Sequence, residues 1–358
     1  MKLKVLALAA MLTTPALADI TFMVPQKPGA GTSIWAGIVA EEFAKTPAMK
    51  GEKIVISYNP GARDQAGFNK FHNTERFKDD VVMVSHGGNG VSYVQENVDY
   101  NYKEYDSVCH QNLNIIVAKR TGVNEDNGFA FAAGSGMVPE ALAIAMMVGG
   151  PGLTVEGYIH AFKSRVAWVT GMSGGERRLA FARGELLGTR ENPAAYKGKV
   201  LPLIESGDAE TWFHHGVLDI ATGKHKDDPN YPGLRFEDVY KAKWDEAPSG
   251  DLYDAYTMIH TWRDAIQKAL WVNKGNPNTE RLRLACKQMA ENPESAAIFE
   301  KKIGKYDWVI GEDGNKTIEV LQGLTTENAL RALIQFNTEA LGLESVFKEE
   351  IISKETSE

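Results

Sequence analysis

Short apolar runs recur along the chain, and most of them end in a glycine-rich turn followed by a segment with helical spacing. ITFMV (20–24) is rich in β-branched and aromatic residues, and PQKPGAGTS follows it. IWAGIVAEEFAK (34–45) then places Ile34, Ile38 and Phe43 on or near one helical face. KIVISY (53–58) leads into NPGARDQAG and a further helical start, and VVMVS (81–85) leads into HGGNG and VSYVQENV. NIIVAK (114–119) reads as a strand. FAFAAG (129–134) reads as another and runs into SGMVPEALAIAMMVGG, and RVAWVTG (165–171) runs into MSGGE and RRLAFARGEL. Long helical patterns over 251–270, 279–292 and 326–341 follow. Strands that alternate with helices in this way predict an α/β architecture with mostly parallel sheets.

The turns carry the first chemical signal. Ligands of open α/β sheets bind beyond the carboxyl ends of the strands. A helix N-terminus there offers unpaired N–H groups and the positive end of its dipole to an anion. Glycine lets a ligand approach the backbone, and Ser or Thr adds a hydroxyl. Four turns fit: Gly29-Ala30-Gly31-Thr32-Ser33, Ser85-His86-Gly87-Gly88, Gly134-Ser135-Gly136 and Ser173-Gly174-Gly175. One such turn is weak evidence, since glycine also serves plain chain reversals. Four point to a shared pocket for a carboxylate or a phosphate.

Other chemistries find less support. GMSGGERRLAFARGEL (171–186) is close to the signature loop of transporter ATPases, but no segment has G-x-x-x-x-G-K-[ST], so nothing would reach a terminal phosphate. Common hydrolase, zinc-protease and dinucleotide motifs are missing as well. His86 is a candidate general base, but no nucleophile can be placed beside it from sequence. His214-His215, His225 and Asp227-Asp228 are metal-ligand types, yet adjacent histidines point apart and no third ligand has helical spacing. They read as a surface loop, and the sequence predicts no metal and no cofactor.

The first residues, MKLKVLALAAMLTTPALA, put two lysines before a short apolar run and end in a small-x-small cleavage pattern. They predict a signal peptide over 1–18, cleaved after Ala18, and a periplasmic protein. The remaining roughly 340 residues suit one or two domains. Loss of Lys2 and Lys4 moves the net charge from −8 to −10, which argues against nucleic acid as a partner. Cys109 and Cys286 either pair or stay as two buried thiols; both remain open from the sequence alone.

ITFMVPQKPGAGTSIWAGIVAEEFAK resembles the opening of the Bug-type substrate-binding receptors of tripartite tricarboxylate transporters. KIVISYNPGARDQAG is similar to their second block. FAFAAGSGMVPEALA, VTGMSGGERRLAFARGELLGT and KALWVNKGNPNTERLRLACKQMAENPE resemble later blocks, in order over most of the chain.

The resemblance implies a monomeric periplasmic-binding-protein-like receptor with two α/β lobes and a ligand cleft between them. One lobe would take 19–117 and 262–358, and the other 118–261, with crossings near 113–128 and 255–272. The implied ligand is a small organic carboxylate, passed on to a large and a small membrane subunit. Carried residue by residue, Pro28, Gly29, Ala30, Gly31, Thr32 and Ser33 would form one wall with Ser85, His86 and Gly87. Gly134, Ser135, Gly136 and Met137 would form the other with Ser173, Gly174, Gly175 and Glu176. Arg63 stands where the family has glycine, and is either a carboxylate partner or a solvated cation. A receptor that feeds a sensor kinase would look the same, and a periplasmic enzyme using His86 is the third reading.

Overall fold

The computed structural model describes residues 19–132 and 135–352. The leader and Gly134 lie outside the described residues, as do the side chains of Arg63 and Ser135. Strands follow in chain order as β1 (Ile20–Val24), β2 (Ile54–Tyr58), β3 (Val81–His86), β4 (Tyr105–Gln111), β5 (Ile116–Arg120), β6 (Phe129–Ala132) and β7 (Val166–Val169). After these come β8 (Gly188–Glu191), β9 (Ala209–His214), β10 (Val217–Asp219), β11 (Lys224–Lys226), β12 (Lys268–Asn273) and β13 (Trp308–Ile310).

Two large sheets result. The first runs β13-β4-β12-β3-β1-β2 and the second β7-β6-β8-β5-β9, while β10 and β11 form a hairpin. The strand–turn–helix units pair in parallel: β1 with β2 and β3, and β6 with β7 and β8. The sheets are nevertheless mixed and not mostly parallel. β12 enters antiparallel between β3 and β4, β13 pairs antiparallel with β4, and β5 pairs antiparallel with β8 and β9. The difference arises because β12 and β5 begin where the chain passes from one sheet to the other, and so run against their neighbours.

Packing explains the apolar runs. Phe22 and Val24 of β1 meet Trp35, Val39 and Phe43 of the helix Gly31–Ala44, and the helix Thr279–Glu291 extends that core. Ile34, expected on the same face, is 52% exposed; Trp35 takes the inward position. The helix Val138–Gly149 is buried on every side, as its uniform apolarity requires. Cys109 of β4 and Cys286 of the helix Thr279–Glu291 form a disulfide, which answers the question their sequence left open.

The chain passes between the sheets at 112–115 and again after the helix Asp251–Asp264. That helix stops at Asp264, six residues short of the helix expected over 251–270, because Lys268–Asn273 is β12. A run such as KALWVN is apolar enough to continue a helical pattern, and only strand pairing on both sides decides it. No helix among the described residues is long and apolar enough to cross a membrane.

Candidate ligand-binding site

On the first sheet, the turn after β1 opens the helix Gly31–Ala44 without a side-chain cap. The Thr32 N–H donates to Gln26 Oε1 at 3.2 Å, and Gln26 Nε2 donates to Asp64 Oδ2 at 2.7 Å. Ser33 spends its hydroxyl on Lys27 O at 2.6 Å, so it faces the turn and not a ligand. Pro28 and Gly29 lie exposed at the rim, and Gly29 has φ +82°, which favours glycine.

The next turn is more heavily committed. Ser85 is buried and accepts from Trp271 Nε1 at 2.7 Å, which makes it a core residue. Gly87 is needed for packing, since a Cβ there would lie 2.2 Å from Arg263 O. His86 caps the helix Gly87–Gln95: its Nδ1 accepts from Gly88 N at 3.0 Å. The proton therefore sits on Nε2, 3.0 Å from Asp64 Oδ2. Burial pushes the His86 pKa down, against the pull of Asp64. For Asp64, burial pushes the carboxyl up, but the contacts with His86 and Gln26 outweigh it and hold it low. Asp64 and Ala62 both sit at positive φ, +72° and +43°.

Lys268 completes this wall. It opens β12 beside His86 of β3 and Gln111 of β4, and it is 5% exposed. Its Nζ donates to Thr32 Oγ1 and to Gln267 O, both at 3.1 Å. Burial, then the positive charge of Arg190, pulls its pKa down to about 7.

Arg190 belongs to the opposite wall, near the end of β8. Its Nη2 donates to Gly136 O at 3.0 Å, and Arg263 Nη1 donates to the same oxygen at 3.1 Å. Burial lowers the Arg190 pKa to about 10. Met137 is buried, with Arg177 Nη1 3.8 Å from its sulfur. The two walls meet: a Cβ on Gly31 would lie 3.0 Å from Asn192 Nδ2. Gly31, Thr32, His86 and Gly136 are thus brought to one place, with Lys268, Arg190, Asp64, Gln26 and Asn192, which sequence reasoning missed.

The Ser173 turn behaves differently. Glu176 Oε2 accepts from Ser173 N at 2.7 Å while Ser173 Oγ accepts from Glu176 N at 3.4 Å, a capping box on an exposed turn. Gly174 and Gly175 therefore open a helix whose positive end already holds the carboxylate of Glu176. Arg177 and Arg178 both bond Glu191, at 3.0 and 3.3 Å.

The histidines of 214–225 do not form a surface loop. His214 and His215 are fully buried, because the segment builds β9 and the β10–β11 hairpin. They do point apart. His214 Nε2 is 2.9 Å from Asp227 Oδ1, and His215 faces Glu140 and Asp264. An open depression of about 560 Å³ beside Tyr102, Lys103 and Glu312 reaches the Tyr105 end of β4, roughly 20 Å along the strand from Gln111. None of the glycine-rich turns borders it.

No protein-family model matches the sequence, and no curated protein matches it. Solved structures do resemble the fold. The periplasmic binding protein BugD superimposes with a TM-score of 0.56 at 14% identity, covering 92% of this chain and 99% of its own. MatC from Rhodopseudomonas palustris with bound malate gives 0.54 at 13%, covering 90% and 99%. Rpa4515 from R. palustris with adipate gives 0.57 at 11%, covering 90% and 97%. Over nearly its whole described length, this chain has the fold of the Bug-type periplasmic binding proteins.

Proposed function

We propose that the protein is a non-catalytic periplasmic receptor that captures a small organic carboxylate. It hands the ligand to the large and small membrane subunits of a tripartite tricarboxylate-type transporter. The two sheets serve as lobes whose boundaries fall at 112–115 and just after Asp264, a few residues from the 117/118 and 261/262 divisions expected, and the ligand lies where their turns meet. The observation that carries the reading is the pair of cations, Lys268 from one sheet and Arg190 from the other, beside the Gly31 and Gly136 turns. A buried lysine with its pKa near 7 is costly to charge, and an anion beside it removes that cost. Malate in MatC and adipate in Rpa4515 support a carboxylate as the occupant.

Thermal melting across mono-, di- and tricarboxylates tests the proposal, since a ligand bound only to the native state raises Tm. At least one carboxylate should stabilise the protein and be recovered chemically unchanged. No stabilisation by any of them, or conversion of the stabilising compound, would overturn it.

A further inference from the structure

Behind Gly136 the structure gathers a second set of polar groups that the cleft does not use. His260 and Asp264 are four residues apart on the helix Asp251–Asp264, and so share a face. His215, the residue just after β9, comes to meet them. The three are buried, and one ligating atom from each lies within 4.8 Å of the other two. Neither ring nitrogen of His215, neither of His260, nor Asp264 Oδ2 has a hydrogen-bond partner in the protein. Five unpartnered polar atoms at full burial are expensive unless something binds them.

We infer that His215, His260 and Asp264 form a site for a divalent transition-metal ion of the zinc class. Three ligands of this kind, with the fourth position left to a water or an anion, make a familiar open zinc set. Ligands about 2 Å from a tetrahedral zinc lie roughly 3.3 Å from one another. Asp264 Oδ2 is 3.8 Å from His215 Nδ1 and 3.9 Å from His260 Nδ1, so small side-chain rotations close the set. The outer contacts have the right sense. His215 Nε2 faces Glu140 Oε1 at 3.6 Å, just beyond hydrogen-bond distance, so a small ring rotation would complete a carboxylate–histidine–metal arrangement. Asp264 Oδ1 accepts from Arg263 Nε at 2.9 Å, which leaves Oδ2 for the ion. The charge of Arg263 is itself matched by Glu140, at 2.7 and 2.8 Å. His225 packs on His260 with ring centroids 4.3 Å apart, but its Nε2 is taken up by Thr261 Oγ1 at 3.1 Å.

The test uses the whole chain and no carboxylate, so its outcome is independent of the receptor reading. After loading with zinc and dialysis against metal-free buffer, elemental analysis should find one zinc per chain. Cobalt loading should give the strong visible bands of a tetrahedral site. Zinc should raise Tm and a chelator should reverse the rise. His215→Ala and His260→Gln, each checked for folding by circular dichroism, should lose the retained metal and the cobalt bands. Absence of retained zinc together with an unchanged Tm in the unmutated chain would overturn the inference, whatever the variants do; the cluster would then be filled by water. Retention undiminished in both folded variants would overturn it too, and would place the metal on surface histidines.

Discussion

Lys268 Nζ lies 3.1 Å from Thr32 Oγ1, which ties the first residue of β12 to the first turn of the Gly31–Ala44 helix. The chain brings together a helix N-terminus and a cation whose positions are far apart in sequence. Arg190 approaches the same place from the second sheet.

Lys268→Met and Arg190→Met should each weaken carboxylate binding. A hydrogen bond to a charged group contributes about 1.5–3 kcal/mol, so each loss should be roughly ten- to a hundredfold in Kd. Calorimetric titration of each variant measures it. Unchanged affinity in both would place the ligand elsewhere.

Binding should also depend on pH. Folded Lys268 titrates near 7 where an ordinary lysine titrates at 10.5, so its protonation opposes folding, and ligand-free stability rises with pH between the two values. An anion favours the charged form and raises that pKa. Affinity should therefore fall as pH climbs above 7, by up to about tenfold per unit. Titrations at pH 8 in buffers of different ionisation heat should show proton uptake on binding, and release or no exchange would contradict the assignment.

Much of the frame was legible in the sequence. ITFMV, KIVISY and VVMVS are β1 to β3 within a residue or two: β1 and β3 are buried and written as unbroken apolar runs, and the half-exposed edge strand β2 is marked by its β-branched residues. YDSVCHQ escaped as β4 because polar residues interrupt it, and β12 was absorbed into a helical pattern. The residues proposed for the site differ in how far the sequence announces them. Gly31, Thr32 and His86 stand in turns that announce themselves, whereas Lys268 and Arg190 matter through pairing that no local pattern encodes. His215 and His260 meet across two elements in the same way. The Ser173 turn carries a second local signal beside its glycines: S-x-x-E is a capping box, and its own glutamate bonds the helix N-terminus.

Ser173→Ala should accordingly act on stability and not on binding. Loss of an N-cap costs about 0.5–2 kcal/mol. Denaturant unfolding should show that loss with Kd unchanged. A tenfold loss of affinity at unchanged stability would restore the turn to the site.

Arg177→Ala should be the more damaging change on that helix. Arg177 and Glu191 are both buried, and removing one partner of a buried pair costs about 3–5 kcal/mol. Arg178 still reaches Glu191 at 3.3 Å, which places the expected loss toward the lower figure. A stability loss under about 1 kcal/mol, the range of exposed pairs, would contradict the burial.

Replacing Cys109 and Cys286 by alanine should lower stability by about 2–5 kcal/mol, since the bond closes a long loop in the unfolded chain. Urea unfolding with and without reductant checks it. Reductant should shift the midpoint of the unmutated protein and leave that of the variant unchanged.

A crystal structure with the carboxylate that most raises Tm tests the central claim most directly. The account predicts a ligand carboxylate within hydrogen-bond distance of Lys268 Nζ and the Arg190 guanidinium, beside the Gly31 turn. Ligand density in the depression near Tyr102 and Glu312, or on the exposed Ser173 turn, with nothing between Lys268 and Arg190, would contradict it.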